Sequence, residues 1–411
     1  MSEASAEAIG EPADIAAAET GGLRKALRAR RLGRIHTPWD FRESARRRLP
    51  RMVFDYIDGG AGDERSVREN RAAIERVRLM PSAPHDTTTV DLSTTLFGQH
   101  LSMPVIIGPT GLASASWPRG EIALARAAAK AGIRFVLTNN GSIAPQEIAA
   151  VARGNSWFQL YAPPDRELAR QWIGQAKAEG FSALEITVDA ARPGRRMRDS
   201  HNGFTMPFKW TPKKFMDCAT RPVWAMKMLW HGQPSPYLEV EKDPSEPKAR
   251  NQSELRRHRF TRALSWDLLK MVRDEWDGPL IIKGLMDPRE AQNAVAAGYD
   301  GIVLSNHGGR QLPDAVAPME VLPEFKSEVG DRITLLIDGG FRSGSDIVKA
   351  LALGASAVQL GRLTVFALAT AGEDGVSHCL ELLREEMENT MALCGRTSIP
   401  QLDRSMVRVG T

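Results

Sequence analysis

Short apolar segments alternate with amphipathic segments of helical length along most of the chain. From Met103 onward, β-branched or apolar runs of strand length recur eight times before the C-terminal helices. The predicted strands are PVIIGP, RFVLTN, WFQLY, LEITVD, LIIKG, GIVLSN, TLLIDGG and AVQLGR. The predicted helices include GEIALARAAAKAG, RELARQWIGQAKAEG, PREAQNAVAAG and GSDIVKALALG, and the glycines at their ends suit C-terminal caps.

Eight successive strand–helix units predict an α/β fold of the closed (β/α)₈ TIM-barrel type. An open, doubly wound sheet is the less favoured alternative, because eight strands are the number whose side chains fill their own interior. The length of 411 residues suits a barrel that absorbs most of the chain as one domain. The alternation breaks once, which predicts an inserted loop at about residues 190–262.

The segment ahead of the barrel differs in character from the rest of the chain. Residues 1–35 are rich in Ala and Glu, then basic, and offer little to bury, so we predict a disordered tail. The stretch PWDFRESARRRLPRMVFDYIDGGAGDE has helical periodicity and a glycine-rich turn, which indicates a short helical lead-in to a domain over residues 36–411.

Charge and cysteine content exclude several classes of function. A net charge of +4, with Lys and Arg interleaved with acids, argues against nucleic acid as a partner. Cys218, Cys379 and Cys394 are too few and too scattered for a disulfide framework, and no metal site is predicted. The N-terminus lacks the pattern of a signal peptide, and no apolar run is long enough to cross a bilayer. We therefore expect a cytoplasmic protein, with the inner face of the cell membrane as the alternative location.

Polar and glycine residues follow the predicted strands and would share the C-terminal rim, where such barrels place their chemistry. The last two strand ends, in DGGFRSG and GRLTV, combine glycines with an arginine. Backbone N–H groups and a helix N-terminus favour an anion, and barrels commonly bind phosphate at this position. A phosphate-bearing ligand near Arg342 and Arg362 is therefore predicted.

A family resemblance covers the chain from roughly Pro38 to the C-terminus. The matching segments, in family order, are MVFDYIDGGAGDE, GPTG, FQLY, TVD with GRRMRD, IIKG, SNHGGRQL, DGGFRSGSDIVKALALGA and LGR. SNHGGRQL is highly specific, whereas GPTG or IIKG alone would not be. The sequence resembles the FMN-dependent 2-hydroxy acid oxidases and dehydrogenases. This implies FMN as cofactor and oxidation of a small-molecule (S)-2-hydroxy acid to the 2-oxo acid.

The resemblance also implies roles for individual residues. Oxidation of a 2-hydroxy acid needs a base, and His307 is expected to supply it while Asp189 orients the imidazole and stabilises its cation. Arg196 and Arg310 are expected to grip the substrate carboxylate with planar forks of donors. Two tyrosines would add hydroxyl contacts to the carboxylate and the substrate oxygen, although buried tyrosines are more often packing residues. They are Tyr56 and Tyr161.

Residues expected to bind the cofactor lie at every strand end. Lys283 is expected to face the flavin N1 and C2 carbonyl, where its cation would favour the reduced form. A simple ion pair at the strand end is the alternative for this lysine. The other expected cofactor contacts are Pro109, Thr110, Gly111, Thr138, Gln159, Thr187, Ser305, Asp338, Gly339, Gly340, Arg342, Gly361 and Arg362.

The resemblance leaves the substrate and the electron acceptor open. Asn140 stands where short-chain members carry a bulky aromatic residue, so the pocket is expected to admit an aryl or long side chain. The resemblance as a whole implies a mandelate-like or lactate-like substrate. Gly111 stands where many oxidases have Ala, which favours quinone over oxygen as acceptor, with an oxygen-using oxidase as the alternative. A non-redox FMN isomerase is a further alternative, which the pairing of His307 and Arg310 opposes. Family members are often tetramers, so a homotetramer is expected.

The inserted loop carries aromatic and basic side chains together over residues 207–250. This combination is typical of a peripheral contact with an anionic membrane surface. Packing against the barrel itself or at a subunit contact is the alternative. The aromatic and basic side chains, with one methionine, are Phe208, Lys209, Trp210, Lys213, Lys214, Phe215, Arg221, Trp224, Met226 and Trp230.

Overall fold

The computed structural model describes residues 28–163, 165–204, 210–231 and 264–410. The chain divides into two units, Met1–His36 and Thr37–Thr411. In the first unit residues 28–32 are helical. The predicted disordered tail falls mainly on residues outside the described part of the chain and stays a prediction.

Eight parallel strands of the second unit form a closed barrel, which confirms the predicted fold. Each predicted segment contains or overlaps a strand, and the strand usually stops before the polar residues at the segment's end. The barrel strands are β4 (Val105–Ile107), β5 (Arg134–Thr138), β6 (Ser156–Leu160), β7 (Leu184–Thr187), β8 (Leu280–Leu285), β9 (Gly301–Leu304), β10 (Thr334–Ile337) and β11 (Ala357–Leu360). Strand β11 pairs with β4 to close the cylinder, with Val358 opposite Val105.

The helices of this unit comprise a lead-in group, the crossover helices, the helices of the insertion and a long C-terminal helix. Predicted glycine caps are confirmed, since Gly132 and Gly180 follow helices and have φ values of 69° and 73°. The helices are α1 (Asp40–Arg48), α2 (Arg51–Asp58), α3 (Arg65–Arg76), α4 (Gly120–Lys130), α5 (Pro145–Ala152), α6 (Arg166–Ala178), α7 (Met197–Asn202), α8 (Pro212–Ala219), α9 (Pro222–His231), α10 (Trp266–Glu275), α11 (Ala291–Ala296), α12 (Pro318–Val329), α13 (Gly344–Ala352), α14 (Arg362–Ala371) and α15 (Glu373–Leu393).

A β-hairpin that the sequence analysis did not predict packs against the barrel core. Strands β2 (Thr94–Leu96) and β3 (Gln99–Leu101) pair antiparallel. Phe97 and Gly98 between them both have positive φ, as a two-residue hairpin turn requires. Leu96, Leu101 and Phe97 pack with Trp157 and other inward-facing residues of the barrel. Strands β1 (Val77–Leu79) and β12 (Val407–Val409) form a second antiparallel pair.

The insertion after β7 contains α7, α8 and α9 in its described part. Residues 205–209 and 232–262 of the predicted loop lie outside the described residues. In the described ranges, none of the helices combines the length and apolarity needed to span a membrane. Several large apolar side chains of α8 and α9 are nevertheless exposed. They are Phe215, Met216, Val223, Met226, Leu229 and Trp230.

Candidate active site

A cavity of about 1180 Å³ lies at the carboxyl ends of the barrel strands. Ligand pockets in proteins usually have volumes of roughly 300 to 1,000 Å³, so this cavity has room for more than one small molecule. Most of the predicted site residues line it. They are Tyr56, Pro109, Thr110, Gly111, Thr138, Tyr161, Thr187, Arg196, Lys283, His307, Arg310, Asp338, Gly339, Gly340, Arg342, Gly361 and Arg362.

Three predicted residues lie behind this wall and contact the residues that form it. Asp189 pairs with His307, Gln159 donates to Thr187 Oγ1 at 2.8 Å, and Ser305 Oγ lies 2.6 Å from Lys283 Nζ. The structure therefore brings all the predicted residues to one end of the barrel, in two layers.

His307 is held between a carboxylate and a phenol. Its Nδ1 lies 2.9 Å from Asp189 Oδ1, and its Nε2 lies 3.4 Å from Tyr161 Oη. Burial acts to raise the pKa of Asp189, but His307 and Lys283 outweigh it and lower the pKa. An ionised carboxylate only accepts hydrogen bonds, so Nδ1 carries a proton. The lone pair of a neutral imidazole is then on Nε2, which faces the cavity.

The His307-Gly308-Gly309 turn has a backbone conformation that residues other than glycine rarely adopt. His307 has φ of 57°, a strained value for a residue with a side chain. A Cβ on Gly309 would lie 2.7 Å from the backbone nitrogen of Val67 on α3. Asn306 holds the turn, because its Oδ1 accepts from Gly309 N at 3.0 Å. The turn thus depends on close contact with the lead-in helices.

Two guanidinium groups lie beside the ring of Tyr56. The guanidinium carbon of Arg310 is 5.2 Å from the ring centroid, and that of Arg196 is 5.6 Å from it. Carbonyl oxygens of Tyr56 and Gly59 accept from Arg310 Nη1 at 2.8 Å, and Asp199 accepts from Arg196 Nε at 2.6 Å. Burial and the neighbouring Arg196 lower the pKa of Arg310. An anionic group would therefore be stabilised beside these cations.

Lys283 is buried on β8 and forms an ion pair. Its Nζ lies 2.5 Å from Asp338 Oδ2, so the ion pair considered as the alternative for this lysine is present. Burial acts to lower the pKa of Lys283, but Asp338, Asp189 and Glu185 raise it. The lysine therefore brings a positive charge to the wall of the cavity.

Arg342 and Arg362 bring two further buried cations to the cavity. Arg362 donates to the carbonyl oxygens of Ile57, Gly308 and Gly59 at 2.8 to 3.0 Å. Burial lowers the pKa of Arg342 to about 10, and burial together with Arg310 and Arg342 lowers that of Arg362 to about 9. Both values leave the groups charged at neutral pH, so this end of the cavity is strongly suited to an anion.

Sequence reasoning missed several residues that shape the site. Asn306 exchanges hydrogen bonds of 2.8 and 2.6 Å with Asn70 of α3, and Asp199 fixes Arg196. Asn306 stands inside SNHGGRQL and Asp199 inside GRRMRD, so both lie in segments already singled out. Nothing in the local sequence marked Asn70, since its partner is 236 residues away.

The chain is similar to known proteins over most of its length. Residues 45–409 match the FMN-dependent dehydrogenase family. The chain is 42% identical over 363 residues to (S)-mandelate dehydrogenase of Pseudomonas putida, covering 88% of this chain and 91% of that protein. It is 41% identical to L-lactate dehydrogenase of Caulobacter sp. (strain K31), covering 91% and 98% of the two chains.

A solved structure described as the monotopic membrane protein (S)-mandelate dehydrogenase has a TM-score of 0.87 and 40% identity. The structural match covers 92% of this chain and 100% of the chain in that structure. The fold and site thus define a barrel flavoenzyme of the oxidoreductase class. The chain belongs to the FMN-dependent dehydrogenase family.

The polar atoms and cations in the cavity wall suit the ring and the phosphate of FMN. Thr110 Oγ1, Asp338 Oδ1 and Gln359 Oε1 are buried and lack a hydrogen-bond partner among the described residues. A flavin ring offers the polar edge that such atoms need. Arg342 and Arg362 provide the cations for a phosphate group.

Proposed function

We propose that this chain oxidises an (S)-2-hydroxy acid to the 2-oxo acid in the cavity at the carboxyl ends of the strands. The observation that carries the proposal is the His307–Asp189 pair in a cavity that also presents Arg196 and Arg310. A base and a carboxylate-binding pair of cations are the groups that this substrate class requires.

His307 would act as the base at Nε2. Oxidation of the carbinol to the ketone removes two electrons and two protons; Nε2 would take one proton, and the second would pass with the electrons to the acceptor. Nε2 is the unprotonated nitrogen, and it faces the cavity. Asp189 would stabilise the imidazolium through the hydrogen bond at Nδ1. Tyr161, 3.4 Å from Nε2, would hold the substrate oxygen beside the base. Burial raises the pKa of Tyr161, so the phenol stays protonated and can donate.

Arg196, Arg310 and Tyr56 would hold the substrate carboxylate. Charge-assisted hydrogen bonds from a guanidinium are worth about 1.5 to 3 kcal/mol. Because Arg310 is already fixed by backbone carbonyls and Arg196 by Asp199, little side-chain entropy remains to be lost on binding.

FMN would supply the two-electron acceptor when bound. Arg342 and Arg362, with the backbone of Gly340 and Gly361, would bind its phosphate. Lys283 would place a positive charge at the ring, and strand-end residues that line the cavity would surround the ring. The side chains of Gln159 and Ser305 would support Thr187 and Lys283 from behind. The lining residues are Pro109, Thr110, Gly111, Thr138, Thr187, Asp338 and Gly339.

An anaerobic substrate screen tests this proposal. Purified holoenzyme would be mixed with lactate, glycolate, mandelate and long-chain 2-hydroxy acids, and bleaching of the flavin absorbance followed. We expect rapid bleaching by at least one (S)-2-hydroxy acid and its loss in His307→Ala. Normal bleaching by the His307→Ala protein, or none by wild type with any 2-hydroxy acid, would overturn the proposal.

We infer that the second half of the reaction passes electrons to a membrane quinone. Exposed apolar side chains on α8 and α9 favour a peripheral membrane contact through residues 207–250, of which residues 210–231 are described. The similar structure described as a monotopic membrane protein supports the proposed membrane contact. Oxygen as acceptor is the competing proposal. Rates of reoxidation of the reduced enzyme by a short-chain quinone and by oxygen, measured by stopped flow, discriminate the two.

We also propose a homotetramer, supported by the family resemblance. Sedimentation equilibrium in the presence of detergent tests it. A single species at four times the chain mass is expected, and a monomer at all concentrations would exclude it.

A further inference from the structure

Two polar side chains from opposite sides of the barrel meet across its interior. Glu185 lies on β7 and Gln359 on β11, and three strands separate these two in either direction around the cylinder. Gln359 Nε2 donates to Glu185 Oε2 at 2.5 Å. The contact joins residues 174 apart in the chain, so only closure of the barrel creates it.

This pair lies directly beneath the cavity. Gln359 lines the cavity, and Glu185 has a relative exposure of 0%. Thr187, two residues further along the strand, lines the cavity, while Ala183, two residues before Glu185 and just ahead of the strand, belongs to the apolar cluster. Glu185 therefore occupies the boundary between the apolar core and the floor of the cavity.

Glu185 has an incomplete set of partners. Its Oε1 is buried and lacks a hydrogen-bond partner among the described residues, as does Oε1 of Gln359. A buried carboxyl that is only partly hydrogen-bonded costs stability, and an apolar side chain would fill this position more favourably. A purely structural role therefore accounts poorly for an acid at this position.

Charged groups on neighbouring elements face Glu185. Burial is the largest effect and raises its pKa to about 7, and Asp338 after β10 and Asp189 after β7 add to this. Lys283 of β8 and the hydrogen bond from Gln359 act in the opposite direction. The carboxyl group thus gains or loses its proton close to neutral pH.

We propose that Glu185, at the floor of the cavity, takes up a proton when bound FMN is reduced, and that Gln359 holds its carboxyl group in place. The inference rests on the FMN site in the proposed function. Reduction adds negative charge to a flavin, which Lys283 would stabilise. An ionised Glu185 near the cavity would oppose that charge, and protonation would remove the repulsion.

The sign of the effect on the flavin follows from linkage. The pKa of Glu185 is lower in the oxidised enzyme than in the reduced enzyme, because the negative charge added on reduction disfavours the carboxylate. Between these two pKa values each reduction takes up one proton more than it would with an uncharged residue. In that window the midpoint potential falls more steeply with rising pH. Below the window Glu185 is neutral in both states and has no effect.

The experiment is a potentiometric titration of bound FMN with dithionite from about pH 5.5 to about pH 9. In a plot of midpoint potential against pH, we expect wild type to show a steeper segment that starts near neutral pH. We expect Glu185→Gln to lack this segment. The two proteins should agree at the acid end, and the variant should have the higher potential at the alkaline end. Because dithionite supplies the electrons, the result does not depend on which 2-hydroxy acid is the substrate.

Two further variants keep the test decisive. Glu121→Gln removes another buried carboxyl, bonded to Ser142 outside the cavity, and should follow the wild-type curve. Gln359→Leu keeps the acid but removes its donor, which should move the steeper segment to higher pH. A wild-type curve for both Glu185→Gln and Gln359→Leu would overturn the proposal. If Glu185→Gln does not retain FMN, the Gln359→Leu variant decides the test. A steeper segment at the same pH as in wild type would then overturn the proposal.

Discussion

Asp189 and His307 are 118 residues apart in the chain, yet their Oδ1 and Nδ1 atoms lie 2.9 Å apart. The carboxylate follows β7 and the imidazole follows β9, with β8 between them in the barrel. This contact fixes which imidazole nitrogen carries the proton. The proposed role of His307 as the base therefore depends on a residue that does not line the cavity.

Replacement of Asp189 by Asn should slow flavin reduction far more than it weakens substrate binding. The amide offers no negative charge to the imidazolium and can favour the wrong tautomer. Since general-base catalysis contributes about 10²- to 10⁴-fold, we expect a loss in this range in the stopped-flow rate. Asp287→Asn, an exposed acid that pairs with Arg289, serves as the control and should leave the rate unchanged. A normal rate in Asp189→Asn would remove this residue from the mechanism.

Replacement of Arg196 by Lys should mainly raise KM. Lysine keeps the charge but lacks the planar fork, and Asp199 can no longer orient it in the same way. A lost charge-assisted hydrogen bond of about 1.5 to 3 kcal/mol corresponds to roughly 10- to 150-fold in KM. Steady-state kinetics with the best 2-hydroxy acid measures it. Arg170→Lys, at an exposed pair with Glu275, is the matched control. Equal KM values for the two variants would contradict the carboxylate assignment.

Replacement of Gly309 by Ala should disrupt the catalytic turn. The new Cβ would meet the Val67 backbone nitrogen at 2.7 Å, in addition to the strain of a φ of 74°. Overpacking of this kind costs about 1 to 3 kcal/mol, and the displacement also moves His307. Thermal unfolding and flavin reduction rate are the measurements.

Gly330 offers a control for this change. It also has a positive φ, 59°, but no atom lies within 4 Å of its added Cβ. Gly330→Ala should therefore carry only the conformational cost of an unfavourable backbone, about 1 to 3 kcal/mol, and keep the normal rate. If the two variants lose stability and rate equally, the contact with α3 is not what holds the turn.

Replacement of Trp230 and Leu229 by Ser should weaken binding to anionic lipid vesicles. Their relative exposures of 87% and 84% are the highest among the large apolar residues of the described ranges. Sedimentation with phosphatidylglycerol vesicles measures the bound fraction, which should also fall with salt. Leu312→Ser, an exposed leucine outside the insertion, is the control. Unchanged vesicle binding by the double variant would exclude this face of α9 as the contact.

Local pattern alone was enough to predict the barrel and its chemical rim. Strands and helices follow from periodicity, and any residue that follows a parallel strand of a barrel lies at the same end, so His307 and Arg362 could be assigned to one rim. The hairpin at Thr94–Leu101 was missed, because its short strands carry little periodic signal and are stabilised by contact with Trp157.

Tertiary structure alone decided which of these side chains touch and which charges are buried. The sequence by itself determined the (β/α)₈ fold, the family and the set of residues at the strand ends, because these depend on local periodicity and on short motifs. It could not determine that Asn70 holds Asn306 at the start of the His307 turn or that Glu185 meets Gln359, since both contacts form only when distant segments come together in the folded chain. The charge of a buried group depends on the neighbours that folding brings within a few ångströms.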